Sequence, residues 1–233
     1  MAPPRAGSDD PGGPASGVLG IDEAGRGSLI GPLVVGGFLC PRGALDRLRE
    51  LGARDSKQLS PERREEAYRA LSRAGRAFSI SLSPSVIDRY VSKGRLNRLE
   101  AEAFARIIRS ARPEEAFVDA CDPNAERFGE VVGRLCGRGT VVRSSHRADL
   151  LVPVVGAASI VAKVRRDRAI AALGRSLGLA VGSGYPSDPR TLHFVRGALG
   201  AGRPAPRWLR ASWSTTGRLI RERQLRPLER YGP

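Results

Sequence analysis

The hydrophobic positions of the chain fall into short runs separated by glycine-rich and polar punctuation. Val18 to Asp22 is apolar until its last residue, and Leu33 to Cys40 follows the break Gly31-Pro32, so the two predict a hairpin-like pair of strands. Phe78 to Leu82 alternates as a third strand, and Ala116 to Cys121 and Thr140 to Arg143 predict two more. Helical spacing is clearest in Asn97 to Ala111, where Leu99, Ala103, Phe104, Ile107 and Ile108 share one face. Pro61 to Ala74 predicts a helix with Ser60 as N-cap, proline at the first position and Glu62 in the first turn. Ala44 to Leu51, Asn124 to Cys136 and a long segment from Pro153 to Leu173 complete the helices of the central region. Strands alternating with helices predict an α/β core with some parallel pairing.

The ends differ from this core. Met1 to Gly17 is rich in Pro, Gly, Ser and Asp and carries no apolar stretch, which predicts a disordered tail (1–17) rather than a secretory signal. Beyond Gly184 the pattern is helical and then increasingly basic. Gly200 to Pro206 marks a boundary between a core of residues 18–200 and a basic helical appendage of 201–233, which holds eight arginines against Glu222 and Glu229.

Composition narrows the class. Of 233 residues, 41% are hydrophobic and 27% charged, which sets aside wholesale disorder and fibrous architectures. The net charge of +15 points to a polyanionic partner, with nucleic acid ahead of an anionic membrane surface. The longest apolar stretch, Leu150 to Ala162, is interrupted by Pro153 and Gly156 and falls short of the roughly 18 residues of a spanning helix, so no membrane association is predicted. Cys40, Cys121 and Cys136 are odd in number and lack CxxC spacing, which predicts neither a disulfide framework nor a zinc site, and fits a reducing, cytoplasmic setting. Only Lys57, Lys93 and Lys163 among the 39 basic residues are lysines. In a chain that otherwise uses arginine, Lys57 and Lys163 suit places that need a compact ammonium, while Lys93, in Ser92-Lys93-Gly94, reads as a surface residue.

The densest chemical signal is GIDEAGRGSLIGP from Gly20. There Asp22 and Glu23 end an apolar strand before a glycine-rich turn, where carboxylates can hold a hard divalent cation. Gly25 and Gly27 let the backbone approach a ligand, and Arg26 adds positive charge beside it. Taken alone, the acidic pair suits the start of a solvated turn better than a cation site. Asp119 interrupts the apolar run Phe117-Val118-Asp119-Ala120-Cys121, where an unpaired buried charge would cost several kcal/mol; it therefore needs a cation, a proton, a capping role or an exposed strand end. Asp149 precedes the long helix, but Pro153 at the first helical position moves the cap to Val152, which weakens an N-capping explanation.

Five ordered motifs, GIDEAGRGSLIGP, DSKQLS from Asp55, FVDAC from Phe117, ADLLVPVVGAASIVAKVRRDR from Ala148 and GSGYPSDPRT from Gly182, resemble the type 2 ribonucleases H, the ribonuclease HII family, over about Val18 to Pro189. The wording is closest to the archaeal and eukaryotic catalytic chains. The resemblance implies a ribonuclease H-like α/β fold, a mixed five-stranded sheet flanked by helices with a C-terminal helical region. It also implies a catalytic and metal-binding set of Asp22, Glu23, Asp119 and Asp149. By the same resemblance the substrates are RNA/DNA hybrids and duplex DNA carrying single ribonucleotides, cut to 3′-hydroxyl and 5′-phosphate ends. Gly25, Arg26 and Gly27 match the ribonucleotide-sensing loop, and Tyr185 the tyrosine that reads the 2′-hydroxyl with it.

Four converging carboxylates would repel one another without cations, so two Mg²⁺ or Mn²⁺ ions are expected, about 3.5–4 Å apart. Lys57 is expected on a phosphate. Lys163 suits an i,i+4 pair with Asp167 as well as a nucleic-acid contact, and Ser159 with its neighbouring alanines suits close helix–sheet packing. Arg203, Arg207, Arg210, Arg218 and Arg221 suit phosphate contacts or a solvated helix face, while Trp208 and Trp213 suit anchoring of the appendage. The expected protein is a monomer, with accessory subunits left open. Two rivals stay open: the type 3 relative, which adds an N-terminal substrate-binding domain, and a non-catalytic arginine-rich RNA-binding protein.

Overall fold

The computed structural model describes residues 15–51, 59–199 and 204–225. Five strands, β1 (Ala15–Ala24), β2 (Leu33–Cys40), β3 (Arg76–Leu82), β4 (Pro113–Asp119) and β5 (Val141–Ser145), form one sheet in the order β3-β2-β1-β4-β5. β1, β2 and β3 pair antiparallel, whereas β4 and β5 run parallel to β1, giving the mixed sheet that the motifs implied. Nine helices are described: α1 (Leu45–Glu50), α2 (Pro61–Leu71), α3 (Pro84–Val91), α4 (Leu96–Ala111), α5 (Ala125–Cys136), α6 (Ala148–Leu151), α7 (Pro153–Leu177), α8 (Pro189–Ala198) and α9 (Ser214–Leu225).

The two-residue period of β1 sorts its side chains between two cores. Leu19 and Ile21 join Phe104 and Ile107 of α4 and Phe128 of α5, with the Phe104 and Phe128 rings edge to face at 5.4 Å. Val18 joins Val154, Ala158 and Ile160 of α7 on the opposite face. Strand glycines let α7 lie almost on β1 and β2. A Cβ at Gly20 would stand 2.1 Å from the Val154 carbonyl oxygen, and one at Gly36 2.5 Å from that of Ala158.

Three differences from the sequence expectation affect the site. β1 begins at Ala15, inside the stretch read as a tail, where it pairs with Pro113; residues 1–14 lie outside the described residues. β4 ends at Asp119 rather than Cys121, which puts that carboxylate at the strand's end. Residues 204–225 are joined to the core: Leu209 and Leu219 share a third apolar cluster with Leu29, Ile30 and Val195, Leu209 bridges Ile30, and the Trp208 ring lies 4.7 Å from that of Phe194.

Candidate active site

β1 and β4 are parallel neighbours, and their register Ile21↔Val118 makes Asp22 and Asp119 the next residues on both strands. Arg147, in the left-handed region at φ 55°, turns the chain after β5 into the single-turn helix α6. The N-terminus of that helix is capped from a distance, since the Ala148 N–H donates to Asp119 Oδ1 at 3.0 Å. This cap brings Asp149 inward. Asp22, Asp119 and Asp149 thus present carboxylate oxygens all within 4.8 Å of one another, with Asp22 and Asp149 buried. Glu23 lies outside that trio because the next residue of a strand faces the other way; it lies instead near Glu100 of α4.

Burial pushes the Asp22 carboxyl up to about 6, and Asp119 adds to the rise. A hydrogen bond with Ser159, the Glu23 N–H at 2.7 Å and the charge of Lys163 oppose it. Glu23 is raised well above the usual range by burial first, then by Asp22, Glu100 and Asp119. Acids crowded in this way repel one another in the ionised state, and the charge of Lys163 offsets part of that repulsion at Asp22. Hard oxygen donors in such an arrangement fit a divalent cation of the Mg²⁺ or Mn²⁺ kind.

Beyond Glu23 the chain turns at Gly25, which has φ 86° and whose carbonyl accepts from the Ser28 N–H at 3.2 Å. Gly27 is exposed, and a Cβ there would meet nothing within 4 Å. The Arg26 side chain is tied inward: it forms an ion pair with the wholly buried Glu100 and donates to Asn97 Oδ1 at 2.6 Å. Two buried arginines brace the loop from behind. Arg210 donates to the carbonyls of Arg26 at 2.7 Å and Gly31 at 3.2 Å, with its guanidinium 5.0 Å from the Trp213 ring centre. Arg166 donates to Ser28 Oγ at 2.7 Å and lies 4.3 Å over the ring of Tyr185. The Leu29 N–H donates to the Gly184 carbonyl at 2.8 Å, so loop and tyrosine turn are also joined through the backbone.

The family model for Ribonuclease HII matches residues 19–216. The chain belongs to the ribonuclease HII family. It is 44% identical over 204 residues to the Ribonuclease HII of Methanocella arvoryzae, a match covering 87% of this chain and 91% of that one. Among solved structures, the ribonuclease H2 of Pyrococcus horikoshii OT3 aligns with a TM-score of 0.82 at 36% identity, covering 89% of this chain and 99% of that one. Bst-RNase HIII in complex with Mn²⁺ aligns at 0.72 with 19% identity and covers 70% of that chain, a likeness of fold. The protein is therefore a ribonuclease H, an endonuclease that hydrolyses phosphodiester bonds.

Several residues take places that the motifs did not foretell. Arg26, expected to offer its charge to a ligand, spends it on Glu100, and of the three loop residues Gly27 is the exposed one, with Gly25 buried. Arg210, read as a phosphate contact or part of a solvated helix face, is neither: it is wholly buried behind that loop. Ser159 bonds to Asp22 in addition to allowing close packing, and Asp167 pairs with Arg64 at 2.6 Å while Lys163 acts on Asp22. Lys57 and Arg203 lie outside the described residues. Glu100 had a legible signal, an acid within the apolar stripe of α4 between Leu99 and Phe104. Arg166 and Arg210 had none, because nothing local separates them from the many surface arginines.

Proposed function

We propose that this ribonuclease H hydrolyses the RNA strand of RNA/DNA hybrids and cuts beside ribonucleotides embedded in duplex DNA, leaving 3′-hydroxyl and 5′-phosphate ends. Asp22, Glu23, Asp119 and Asp149 would hold two divalent ions, Mg²⁺ or Mn²⁺. Bound there, the ions would supply water activation and stabilisation of charge on the departing 3′-oxygen. The observation that carries this reading is the convergence of three carboxylates from distant segments within 4.8 Å. Asp119 serves twice in it, as donor and as the cap that fixes Asp149. Ser159 and Lys163 keep Asp22 ionised against its burial, and Glu23 contributes from the α4 side of the strand end. No side chain need act as nucleophile.

The backbone of Gly25, Arg26 and Gly27 would read the ribose 2′-hydroxyl, the group that distinguishes RNA from DNA, with the Tyr185 ring against the neighbouring sugar. Support comes from the exposed, unobstructed backbone at Gly27 and from the contacts joining loop and tyrosine turn. Lys57 would contact a phosphate. We place the activity in the cytoplasm, with a monomer removing ribonucleotides during DNA replication and excision repair. A duplex with one embedded ribonucleotide, incubated with Mg²⁺ and with a chelator, tests the reading. Cleavage at the ribonucleotide that stops on chelation and returns with excess metal is expected; no cleavage, or cleavage indifferent to the chelator, would overturn it.

A further inference from the structure

A second feature lies on the α4 side of the reading loop and takes no part in the chemistry above. Arg89, Lys93, Arg95 and Arg98 line an open groove of about 760 Å³ between α3 and α4, with Tyr90 and Glu102 in its wall. Arg98 and Tyr90 both bond to Glu102, which occupies that acid. Among the described residues no carboxylate forms an ion pair with Arg89, Lys93 or Arg95, and all three are exposed.

The groove is linked to the glycine loop through Asn97. Arg95 and Arg98 also line an adjoining groove of about 660 Å³ that includes Asn97, the residue that accepts from Arg26. Arg89, in the last turn of α3, complements that helix's dipole, but helix stabilisation does not account for Arg95. Arg95 is the N-cap residue of α4, with no side-chain cap bond and no acid in the first turn, so cations there oppose the helix dipole. Lys93 is one of three lysines in a chain that otherwise uses arginine, and a compact ammonium suits a phosphate oxygen.

We propose that this basic track, from the α3–α4 turn through Arg95 to Asn97, carries the phosphate backbone of the nucleic-acid duplex flanking the cleavage site. The proposal rests on the function proposed above and extends it to a second contact with the same substrate. Three phosphates neutralised by Arg89, Lys93 and Arg95 would release counterions whatever the base sequence.

The test compares two charge-matched triple variants, Arg89→Gln/Lys93→Gln/Arg95→Gln in the track and Arg106→Gln/Arg109→Gln/Arg138→Gln at the far end of the sheet. Binding of a fluorescent RNA/DNA hybrid in chelator is measured against salt concentration, alongside KM for its cleavage with Mg²⁺. The track variant should lower the slope of log affinity against log salt by about 2–3, at roughly 0.9 per lost phosphate contact, and raise KM. The control variant should leave both near the starting values. An unchanged slope in the track variant, or an equal fall in both variants, would overturn the proposal. Failure of the unsubstituted protein to cleave would instead overturn the nuclease reading, while the binding comparison would still read the track.

Discussion

The acid cluster and the glycine loop lie on adjacent parts of one strand end and handle charge differently. In the cluster, Asp22, Asp119 and Asp149 bring like charges within 4.8 Å, and the Asp22 carboxyl is driven up to about 6 by burial and then by its neighbour. In the loop, each buried charge has partners within the protein, although Glu100 Oε1, Arg166 Nε and Arg210 Nη2 make no hydrogen bond: Glu100 pairs with Arg26, Arg166 with Asp167, Ser28 and the Tyr185 ring, and Arg210 with two backbone carbonyls. Crowded hard oxygen donors suit a divalent cation, whereas buried groups paired with one another hold the loop's shape. The two halves should therefore fail differently when substituted, the first in rate alone and the second in stability and selectivity.

The largest separation is expected from Asp119→Asn. The amide oxygen still accepts from the Ala148 N–H, so α6 stays capped and the unfolding midpoint should hardly move. Removing a charge required in the transition state should nonetheless lower kcat by roughly 10²–10³-fold or more. A urea melt and a cleavage assay on one preparation check both halves, and retention of near-normal kcat with Mg²⁺ would remove Asp119 from the chemistry. Asp22→Asn should behave alike, since its amide oxygen can still accept from the Glu23 N–H.

Arg210→Ala should invert that pattern. It deletes a wholly buried side chain, two bonds to the carbonyls of Arg26 and Gly31, and the contact with Trp213. A cavity and two under-satisfied carbonyls should cost about 2–4 kcal/mol in urea unfolding. Arg207→Ala, an exposed neighbour, should stay within about 0.5 kcal/mol. If both arginines cost equally little, the C-terminal segment does not brace the loop.

These cases also show what could be read from the chain and what could not. β2 was predicted at Leu33 to Cys40 and occupies those residues, and α4 differs from its predicted start by one residue, because both depend on local periodicity and punctuation. The four acids were legible as a set only through the resemblance of the motifs around them, since locally Asp22 and Glu23 suited a solvated turn and Asp119 a cap or strand end. Helix α6 was missed because it is a single turn capped by a residue 29 positions earlier, a partner no local window contains. Helix α3 was missed although Ser83-Pro84 is a start signal, since its eight residues are too few for a strong period. Glu23 was grouped with Asp22 by adjacency, although strand geometry sends the two to opposite faces. Arg166 and Arg210 acquire their roles only when Ser28, Tyr185 and Gly31 are brought to them, and composition cannot mark which arginines are buried.

Within the reading half, Tyr185→Ala should act on selectivity. Its half-buried ring lies against the Arg166 guanidinium, and stacking of an aromatic side chain on a nucleotide is worth about 1–3 kcal/mol. Cleavage of a duplex with one embedded ribonucleotide should fall by about 5–150-fold, and cleavage of a continuous hybrid by much less. Equal losses on both substrates would make the tyrosine a general support.

The smallest effect is expected from Glu100→Gln, and it tests whether the loop reads through its backbone. The amide keeps the shape and can still accept from Arg26, so the fold should persist with a loss of about 1–2 kcal/mol, the difference between a charged and a neutral acceptor. What changes is the electrostatics: Arg26 loses its counter-charge while Asn97 still holds it at 2.6 Å. A guanidinium no longer neutralised should attract phosphate of any duplex. KM should therefore drop slightly for hybrid and all-DNA duplex alike, and discrimination for an embedded ribonucleotide should narrow several-fold. If discrimination is unchanged while KM falls, Arg26 neutralisation matters for affinity alone, and selectivity resides wholly in the Gly25 to Gly27 backbone and Tyr185.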